Sequence, residues 1–241
     1  MIALILAAGA STRLKPYTLK KHKCLIEVLD NEKIIDIELK NLRDNGVKDV
    51  IITVGHFKEK IETYVKSNYS DMNFIFVNNE KYGSTNCIYS MWLCRKHLNE
   101  DMIFLTGDLI FESKVIKEMI YSKFNNIMYV NPEVKINEKN FKVEIGNNGF
   151  IKEIGVNLFG KNAQMGYPLY KLSKSAMQIW MKEINNYIRQ DKTNLYGEIA
   201  FNNVADKINL RPMYTTDFCM EIDDHEDLFE AKNYYEKNGL K

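Results

Sequence analysis

The chain has 241 residues, of which 45% are hydrophobic, so it is long enough to bury a substantial core as one large α/β domain. Thirty-three basic residues are balanced by 32 acidic ones, and the formal net charge of +1 gives no global reason to expect binding to nucleic acid or to an anionic membrane. No segment approaches the roughly 20 consecutive apolar residues that cross a bilayer. Any anion-binding site must therefore be local.

The cysteines and histidines are scattered along the chain. The four cysteines contain no C-x-x-C pair, and the four histidines show no H-x-x-x-H spacing. A zinc site or a disulfide framework is therefore disfavoured. We expect buried free thiols in a protein of the reducing cytoplasm.

The first 25 residues are the most informative stretch. An apolar run from Ile2 to Ala8 predicts a buried strand, which ends at Gly9 in a loop of small residues. Small side chains let backbone N–H groups approach an anion closely, and the charges of Arg13 and Lys23 would neutralise it. The stretch predicts a phosphate-binding loop. An ordinary strand and turn without a ligand is the alternative for this loop taken alone.

Strands and helices alternate through the first half of the chain. The predicted strands cover residues 2–8, 25–28, 50–54, 73–77 and 102–106. The predicted helices are one that carries residues 34–42 and is closed by Asn45 and Gly46, one over 57–65, and one that opens at Thr85 or Asn86. Strands separated by helices predict a doubly wound, mostly parallel, Rossmann-like sheet with ligands at the carboxyl ends of its strands.

Asp108 stands directly after one of these predicted strands and Gly107. A carboxylate at the carboxyl end of a central strand lies where the ligand crevice of such a sheet should be. A loop or capping aspartate is the alternative reading of this position. The strand-end rule makes Asp108 a candidate site residue.

The pattern changes in the second half of the chain. Strand-like runs cover residues 127–130, 142–145, 150–154 and 165–170, with turns at residues 147–149 and near Gly160, which predicts a small mixed or antiparallel region beside the substrate. Helices are predicted over 173–188, 197–208 and 225–238, and a last short strand over 211–216. We treat residues 1–241 as one domain, with a first half over 1–125 that carries the predicted phosphate-binding loop and a second half with the C-terminal helix over 126–241.

Several short motifs occur in one order over nearly the whole chain. They are Leu6-Ala-Ala-Gly-Ala-Ser-Thr-Arg13-Leu-Lys-Pro16, Lys23 in a P-K-x-L-like step, Val54-Gly55-His56, Asn86-x-x-Tyr89-Ser90, Gly107-Asp108 and Glu221-Ile-Asp223. Together they resemble the motifs of the sugar-phosphate nucleotidyltransferases, whose fold is glycosyltransferase-A-like. More closely they resemble the small bacterial members that make CDP-choline from phosphocholine.

The resemblance implies a reaction in which a phosphate oxygen of an acceptor attacks the α-phosphorus of a nucleoside triphosphate and pyrophosphate leaves. By resemblance, Arg13 would clamp the triphosphate, and Lys23 would contact phosphate oxygens near the reacting centre. Asp108 and Asp223 would share a Mg²⁺ ion with the phosphates. The implied nucleotide contacts are Leu6, Ala8, Gly9, Ala10, Ser11, Thr12, Arg13, Lys23, Tyr82, Ser84, Thr85, Asn86 and Asp108.

Two positions depart from the family pattern. His22 stands where the family usually has proline before the loop lysine, which predicts a less rigid loop. The lysine that sugar-specific relatives carry after their G-x-I hairpin is not evident after Ile154, which disfavours a hexose 1-phosphate.

The sequence indicates less about the acceptor than about the nucleotide. A quaternary ammonium would call for an aromatic cage with a carboxylate. The candidates are Tyr167, Tyr170, Tyr196 and Glu198, with Asp224 as a second carboxylate. Packing is the alternative role of each tyrosine, because the chain has 14 of them. Phosphoethanolamine, aminoethylphosphonate or a phosphorylated amide would suit a carboxylate with fewer aromatic neighbours.

The leading hypothesis is a Mg²⁺-dependent cytidylyltransferase that transfers CMP from CTP to a small phosphorylated acceptor such as phosphocholine. One rival is a sugar-1-phosphate uridylyl- or thymidylyltransferase. A rival of another class is a nucleotide-binding module without turnover. The oligomeric state stays open, with a homodimer among the alternatives.

Overall fold

The computed structural model describes residues 1–29 and 31–239, which form thirteen strands and eight α-helices. The strands are β1 (Ile2–Ala7), β2 (Glu27–Leu29), β3 (Glu32–Lys33), β4 (Asp49–Val54), β5 (Asn73–Asn78), β6 (Met102–Thr106), β7 (Leu109–Phe111), β8 (Ile127–Asn131), β9 (Lys142–Ile145), β10 (Ile151–Gly155), β11 (Ala163–Leu172), β12 (Arg211–Tyr214) and β13 (Cys219–Glu221). The helices are α1 (Ile34–Asp44), α2 (Lys58–Asn68), α3 (Cys87–Leu93), α4 (Ser113–Tyr121), α5 (Lys174–Arg189), α6 (Gly197–Asn202), α7 (Ala205–Ile208) and α8 (His225–Asn238).

One nine-stranded sheet joins the two halves of the chain. Its strands run in the order β10-β9-β11-β6-β1-β4-β5, with β8 paired to β11 and β12 paired to β8. Strands β6, β1, β4 and β5 are parallel to one another, whereas β11 joins β6 in the antiparallel direction. The predicted α/β class, with a Rossmann-like parallel core and a mixed region beside it, is confirmed.

Both faces of the parallel strands β1, β4 and β6 are largely buried, which explains why these strands are continuous apolar runs in the sequence. On β1, Ala3 and Ile5 pack with one hydrophobic cluster that includes residues of α1, α2 and α4. Leu4 packs on the other face with a second cluster that includes residues of α3 and α5. Helices therefore cover the sheet on both sides, as the doubly wound prediction requires.

A small antiparallel ribbon of β7 and β13 lies next to the carboxyl end of β6. Glu221 of β13 is paired with Leu109 of β7, and the Ile222 N–H donates to the Asp108 carbonyl at 2.9 Å. This pairing brings two segments that are more than 100 residues apart in sequence to the same edge of the sheet.

Helix α8 fixes the segment that follows β13. Its N-cap Asp224 accepts hydrogen bonds from the Glu226 and Asp227 N–H groups, and the Asp227 carboxylate accepts from the Asp223 and Asp224 N–H groups. This reciprocal capping box satisfies the first amides of the helix and holds the backbone of residue 223. The helix has the bounds that the sequence predicts, and Tyr235 is its inward-facing tyrosine.

The structure corrects several local predictions. The helix predicted over 197–208 is two helices, because Val204 leaves helical geometry with φ −131° between α6 and α7. Helix α4 and the β7–β13 ribbon were not predicted. The four cysteines are free, as predicted, and three of them are buried. Within the described ranges, no helix is long and apolar enough to cross a membrane.

Candidate active site

A cavity of about 380 Å³ opens at the carboxyl ends of β1 and β6. Twelve of the thirteen residues predicted to contact the nucleotide line it. They are Leu6, Ala8, Gly9, Ala10, Ser11, Thr12, Arg13, Lys23, Tyr82, Thr85, Asn86 and Asp108. Ser84 does not line the cavity, because it lies on an exposed turn where its hydroxyl donates to the Lys81 carbonyl.

The loop after β1 follows a path that requires small neighbours. A Cβ atom on Gly107 would lie 2.9 Å from the Ala7 Cβ, and the Gly107 N–H donates to the Leu6 carbonyl at 2.9 Å. A Cβ atom on Gly55 would lie 2.6 Å from the Ala8 carbonyl oxygen. Both glycines are therefore required by close backbone approach, and they set the edges of the loop.

His22 anchors this loop to the turn that carries Lys23. Its Nδ1 accepts a hydrogen bond from the Cys24 N–H, so the proton is on Nε2, which donates to the Gly9 carbonyl at 2.9 Å. The side chain is buried, and burial together with the neighbouring Lys23 charge lowers its pKa to about 3. The neutral imidazole is thus hydrogen-bonded through both ring nitrogens and ties the loop to the turn, while the prediction of a less rigid loop than with proline stays a prediction.

This buried imidazole makes stability depend on pH. The folded state does not take up the proton that the unfolded chain binds near pH 6.5, so stability is full above that pH and falls as the pH drops towards the folded-state pKa of about 3. We expect His22→Gln, which keeps a donor for Gly9 but does not titrate, to flatten the fall in melting temperature between neutral pH and about pH 4.5. Thermal unfolding across pH measures this, with exposed His97→Gln as the matched control. An unchanged slope in His22→Gln would contradict the assignment.

Four charged side chains meet at the mouth of the loop. The Lys23 Nζ lies 2.5 Å from Asp108 Oδ2 and 3.0 Å from Asp223 Oδ1, and an Arg13 Nη2 atom lies 2.8 Å from the same Asp223 oxygen. Burial alone would lower the pKa of Lys23, but the two carboxylates, Asp108 foremost, raise it above its ordinary value. Burial alone would raise the pKa of Asp223, but Lys23 and Arg13 hold it below its usual range. In this structure Lys23 thus contacts both predicted metal ligands.

The two aspartates suit a magnesium ion that is shared with bound phosphates. Asp108 Oδ1 is buried and has no hydrogen-bond partner among the described residues. No group of three or more His, Cys, Asp or Glu side chains within residues 1–29 and 31–239 could hold a metal ion by itself. Magnesium is commonly held by one or two carboxylates and completes its coordination with phosphate oxygens and water. Asp108 and Asp223 therefore fit this ion.

Glu221 is a cavity residue that the sequence did not assign to the site. Glu221 is the last residue of β13 and Asp223 follows two positions later, and both side chains line the cavity. Burial, followed by the charges of Asp108 and Asp223, raises the pKa of Glu221 well above its usual range. The motif Glu221-Ile-Asp223 contains both carboxylates, but the family resemblance implies a role only for Asp223.

Asn79 is a second cavity residue that the sequence did not assign, and it organises the loop after β5. Its buried side-chain amide donates to Thr85 Oγ1 at 3.1 Å and to Ser90 Oγ at 3.0 Å, and its oxygen accepts from the Lys81 N–H. Asn86 is the N-cap of α3, as predicted for this residue or Thr85. The strand-end rule that singled out Asp108 would have found Asn79 as well, because Asn79 directly follows β5.

The acceptor candidates divide into two groups. Tyr196 and Glu198 line the cavity. Tyr170 does not: its fully buried ring stacks on Phe104 at 5.1 Å, and its hydroxyl donates to Glu198 Oε1 at 3.0 Å. Tyr167 instead lines a neighbouring cavity of about 630 Å³. Tyr170 is therefore not a cage residue, because it positions Glu198 rather than facing a ligand. The cavity that Tyr167 lines shares Arg13, Glu221 and Asp223 with the first one, so a role of Tyr167 in acceptor binding stays a prediction.

Glu198 is a buried carboxylate at the cavity wall. It lies in the first turn of α6 with 4% of its surface exposed, and burial raises its pKa while Tyr170 and a backbone N–H act in the opposite direction. The turn before it is held by a hydrogen bond from the Trp180 indole to the Gly197 carbonyl. The half-exposed Tyr196 packs edge-on against Phe141 nearby. One carboxylate beside aromatic rings is an arrangement that binds small cations.

Fold and site together define an α/β protein with a small-residue loop, two basic side chains and a pair of carboxylates at the carboxyl edge of its parallel strands. The family model for nucleotidyl transferases matches residues 2–153, and the chain belongs to this family. It is therefore a nucleotidyltransferase.

Two relatives and one solved structure are similar to this chain over half or more of its length. It is 26% identical over 238 residues to the CTP:phosphoglutamine cytidylyltransferase of Campylobacter jejuni, covering 92% of this chain and 88% of that protein. It is 31% identical over 127 residues to the choline-phosphate cytidylyltransferase of Streptococcus pneumoniae, covering 53% of each. The solved structure of a CTP:phosphocholine cytidylyltransferase from Streptococcus pneumoniae superimposes with a TM-score of 0.81 at 22% identity, covering 97% of this chain and 98% of that one. Sugar nucleotidyltransferases also match this chain.

Proposed function

We propose that this chain is a Mg²⁺-dependent cytidylyltransferase that transfers CMP from CTP to a small phosphorylated acceptor carrying a cationic group, such as phosphocholine, and releases pyrophosphate. The observation that carries this proposal is the meeting of Lys23, Asp108 and Asp223 at the mouth of the loop after β1. The cytidylyltransferases among the similar proteins support CTP as the nucleotide.

The loop and its basic residues would position the triphosphate. Phosphoryl and nucleotidyl transfer require little covalent chemistry from the protein, so positioning and charge neutralisation dominate. Backbone groups at Ala8 and Gly9 would lie along the nucleotide, Arg13 would neutralise the triphosphate, and Lys23 would approach the oxygens of the reacting phosphate. A magnesium ion held by Asp108 and Asp223 would supply further neutralisation of phosphate charge.

The acceptor would lie on the far side of the two aspartates from the loop. Its phosphate would face the metal-binding carboxylates, and its cationic end would contact Glu198 and the ring of Tyr196. The buried Glu198 favours an acceptor with a positive charge, because a cation compensates a carboxylate that has lost most of its hydration. An uncharged hexose offers no such compensation.

The function is tested by incubating the protein with each nucleoside triphosphate, Mg²⁺ and a panel of acceptors while pyrophosphate is measured. The panel contains phosphocholine, phosphoethanolamine, aminoethylphosphonate, a phosphorylated amide and glucose 1-phosphate. We expect release with CTP and a cationic acceptor. Release with UTP or dTTP and glucose 1-phosphate would instead establish the sugar nucleotidyltransferase, a candidate that the sugar-specific relatives support. Tight nucleotide binding without release from any combination would indicate a module without turnover.

Glu198→Gln separates acceptor binding from nucleotide binding. A charge-assisted contact contributes about 1.5–3 kcal/mol, so we expect the KM for a cationic acceptor to rise about 10- to 100-fold while the KM for CTP changes little. Steady-state kinetics with each substrate varied in turn measures both constants. Glu59→Gln, on an exposed face of α2, is the matched control. Equal increases in the two KM values would contradict a specific role in acceptor binding.

A further inference from the structure

The Lys23 ammonium fills the space between the two carboxylates that suit the metal. It contacts Asp108 Oδ2 at 2.5 Å and Asp223 Oδ1 at 3.0 Å, and it also lies 3.4 Å from the Ile222 carbonyl. The side chains of Lys23 and Asp108 are 15% and 13% exposed, so little water screens their ion pair. In the free protein both carboxylates therefore share the Lys23 ammonium, and Asp223 also pairs with Arg13.

A divalent cation that binds both carboxylates would have to displace this ammonium. Its entry beside the ammonium would place three positive charges, two from the ion and one from Lys23, within a few ångströms of one another in a partly buried site, where Coulomb repulsion is weakly screened. The displaced ammonium would also need a new anionic partner, because burying an unpaired charge is costly. Free metal ions bring no such partner, whereas a nucleoside triphosphate brings several phosphate oxygens.

The lysine is placed to make this exchange. It stands on a turn that His22 ties to the Gly9 carbonyl of the phosphate loop, so its backbone stays beside the loop while its flexible four-carbon stem can swing. Phosphates bound at the loop would therefore lie within the range of the ammonium. The movement needs no change in the fold.

We infer that Lys23 closes the metal site against free divalent cations and opens it when nucleotide phosphates take over its ammonium. Metal then enters with the nucleotide and not before it. The inference rests on the proposed function for the identity of the nucleotide, but the closure itself depends only on Lys23, Asp108 and Asp223.

Two other cations at the cavity differ from Lys23 in a way that provides a control. Arg13 is 65% exposed and contacts Asp223 but not Asp108. Lys139 is 68% exposed and pairs with Asp224 at 2.9 Å, next to the metal-binding pair but not between its members. Lys139→Met removes one positive charge near the site, as Lys23→Met does, but it does not open the space between the two carboxylates.

The test is Mn²⁺ binding to the protein without nucleotide, measured by electron paramagnetic resonance on wild type, Lys23→Met and Lys139→Met. We expect Lys23→Met to bind Mn²⁺ at least about tenfold more tightly than wild type, and Lys139→Met to stay within about threefold. The double variant Lys23→Met, Asp108→Asn should lose the gain, because the ion would have lost one of its carboxylates. If Lys23→Met does not fold, Lys23→Gln replaces it.

Three results would overturn the inference. The first is equal Mn²⁺ affinity in wild type and Lys23→Met. The second is an increase in Mn²⁺ affinity in Lys139→Met as large as that in Lys23→Met. The third is an increase that persists in the double variant Lys23→Met, Asp108→Asn. The measurement is independent of turnover. If Lys23→Met gains affinity while no nucleotide and acceptor give pyrophosphate, the closure stands and the proposed function fails. If CTP is turned over while the affinities are equal, the closure fails and the proposed function stands.

Discussion

Asp108→Asn is expected to lower pyrophosphate release about 10³-fold or more while the fold is retained. The substitution keeps the shape of the side chain but removes the charge that we assign to the metal site, where ions contribute several kcal/mol of transition-state stabilisation. Asp108 stands in the turn between β6 and β7 and packs no apolar core, and its backbone carbonyl still accepts from the Ile222 N–H. Turnover should therefore fall far more than stability.

Initial rates of pyrophosphate release at saturating CTP and Mg²⁺ measure this effect, and thermal unfolding measures the stability of the same samples. Asp44→Asn is the matched control, because Asp44 is an exposed aspartate at the end of α1. Wild-type rates in Asp108→Asn would remove Asp108 from the metal site. If Asp108→Asn loses its rate because it no longer folds, Asp223→Asn tests the site assignment instead, and we expect the same loss of rate from it.

Lys23→Ala is expected to lower turnover about 10²- to 10³-fold, the range found when one preorganised charge or donor at a developing negative charge is removed. The proposed contact of the Lys23 ammonium is strongest in the transition state, when negative charge is redistributed over the reacting phosphate. We therefore expect kcat to fall more than the KM for CTP rises. The loss of Lys23 also leaves Asp108 and Asp223 without their shared partner. We therefore expect a lower melting temperature at low Mg²⁺, which added Mg²⁺ restores.

Steady-state kinetics and a melting-temperature titration with Mg²⁺ test these two effects of Lys23→Ala separately. Lys20→Met, on an exposed residue three positions earlier, is the matched control. An unchanged kcat would mean that the ammonium serves only as a partner for the aspartates and takes no part in the reaction. A melting temperature that does not respond to Mg²⁺ would contradict the shared role of the two carboxylates.

His22 shows what a single sequence position leaves out. The absence of proline predicts a looser loop, because proline restricts the backbone before any tertiary contact is made. The structure shows that the imidazole contributes contacts that proline could not make, since it accepts from the Cys24 N–H of the turn and donates to the Gly9 carbonyl of the loop. Hydrogen bonds across 13 residues cannot be read from a single position of the sequence.

The aromatic residues near the acceptor show a related limit. Tyr170 and Tyr196 both stand in plausible sequence positions for an acceptor site. The sheet turns Tyr170 into the core beneath Glu198, whereas Tyr196 precedes α6 and stays half exposed at the cavity. Which face of a long strand such as β11 meets a cavity depends on its pairing with β6 and β8 and on the bulge in that pairing.

The sequence by itself determined the α/β class, the parallel strands β1, β4, β5 and β6, and most of the residues around the phosphate loop. It could do so because these features are local: an apolar run, a small-residue turn and a polar residue at a strand end each have their cause within a few residues. The motif order added the family and the pairing of Asp108 with Asp223, but not their geometry.

Only the tertiary structure decided the contacts between distant segments. The β7–β13 ribbon brings Asp223 to Asp108, and Lys23 reaches both from a turn held by His22. These contacts depend on strand pairing across more than 100 residues, which alternation along one segment does not encode. The same distance explains why Glu221 was not assigned to the site, since only the fold shows that Glu221 lines the same cavity as Asp223 and the loop after β1.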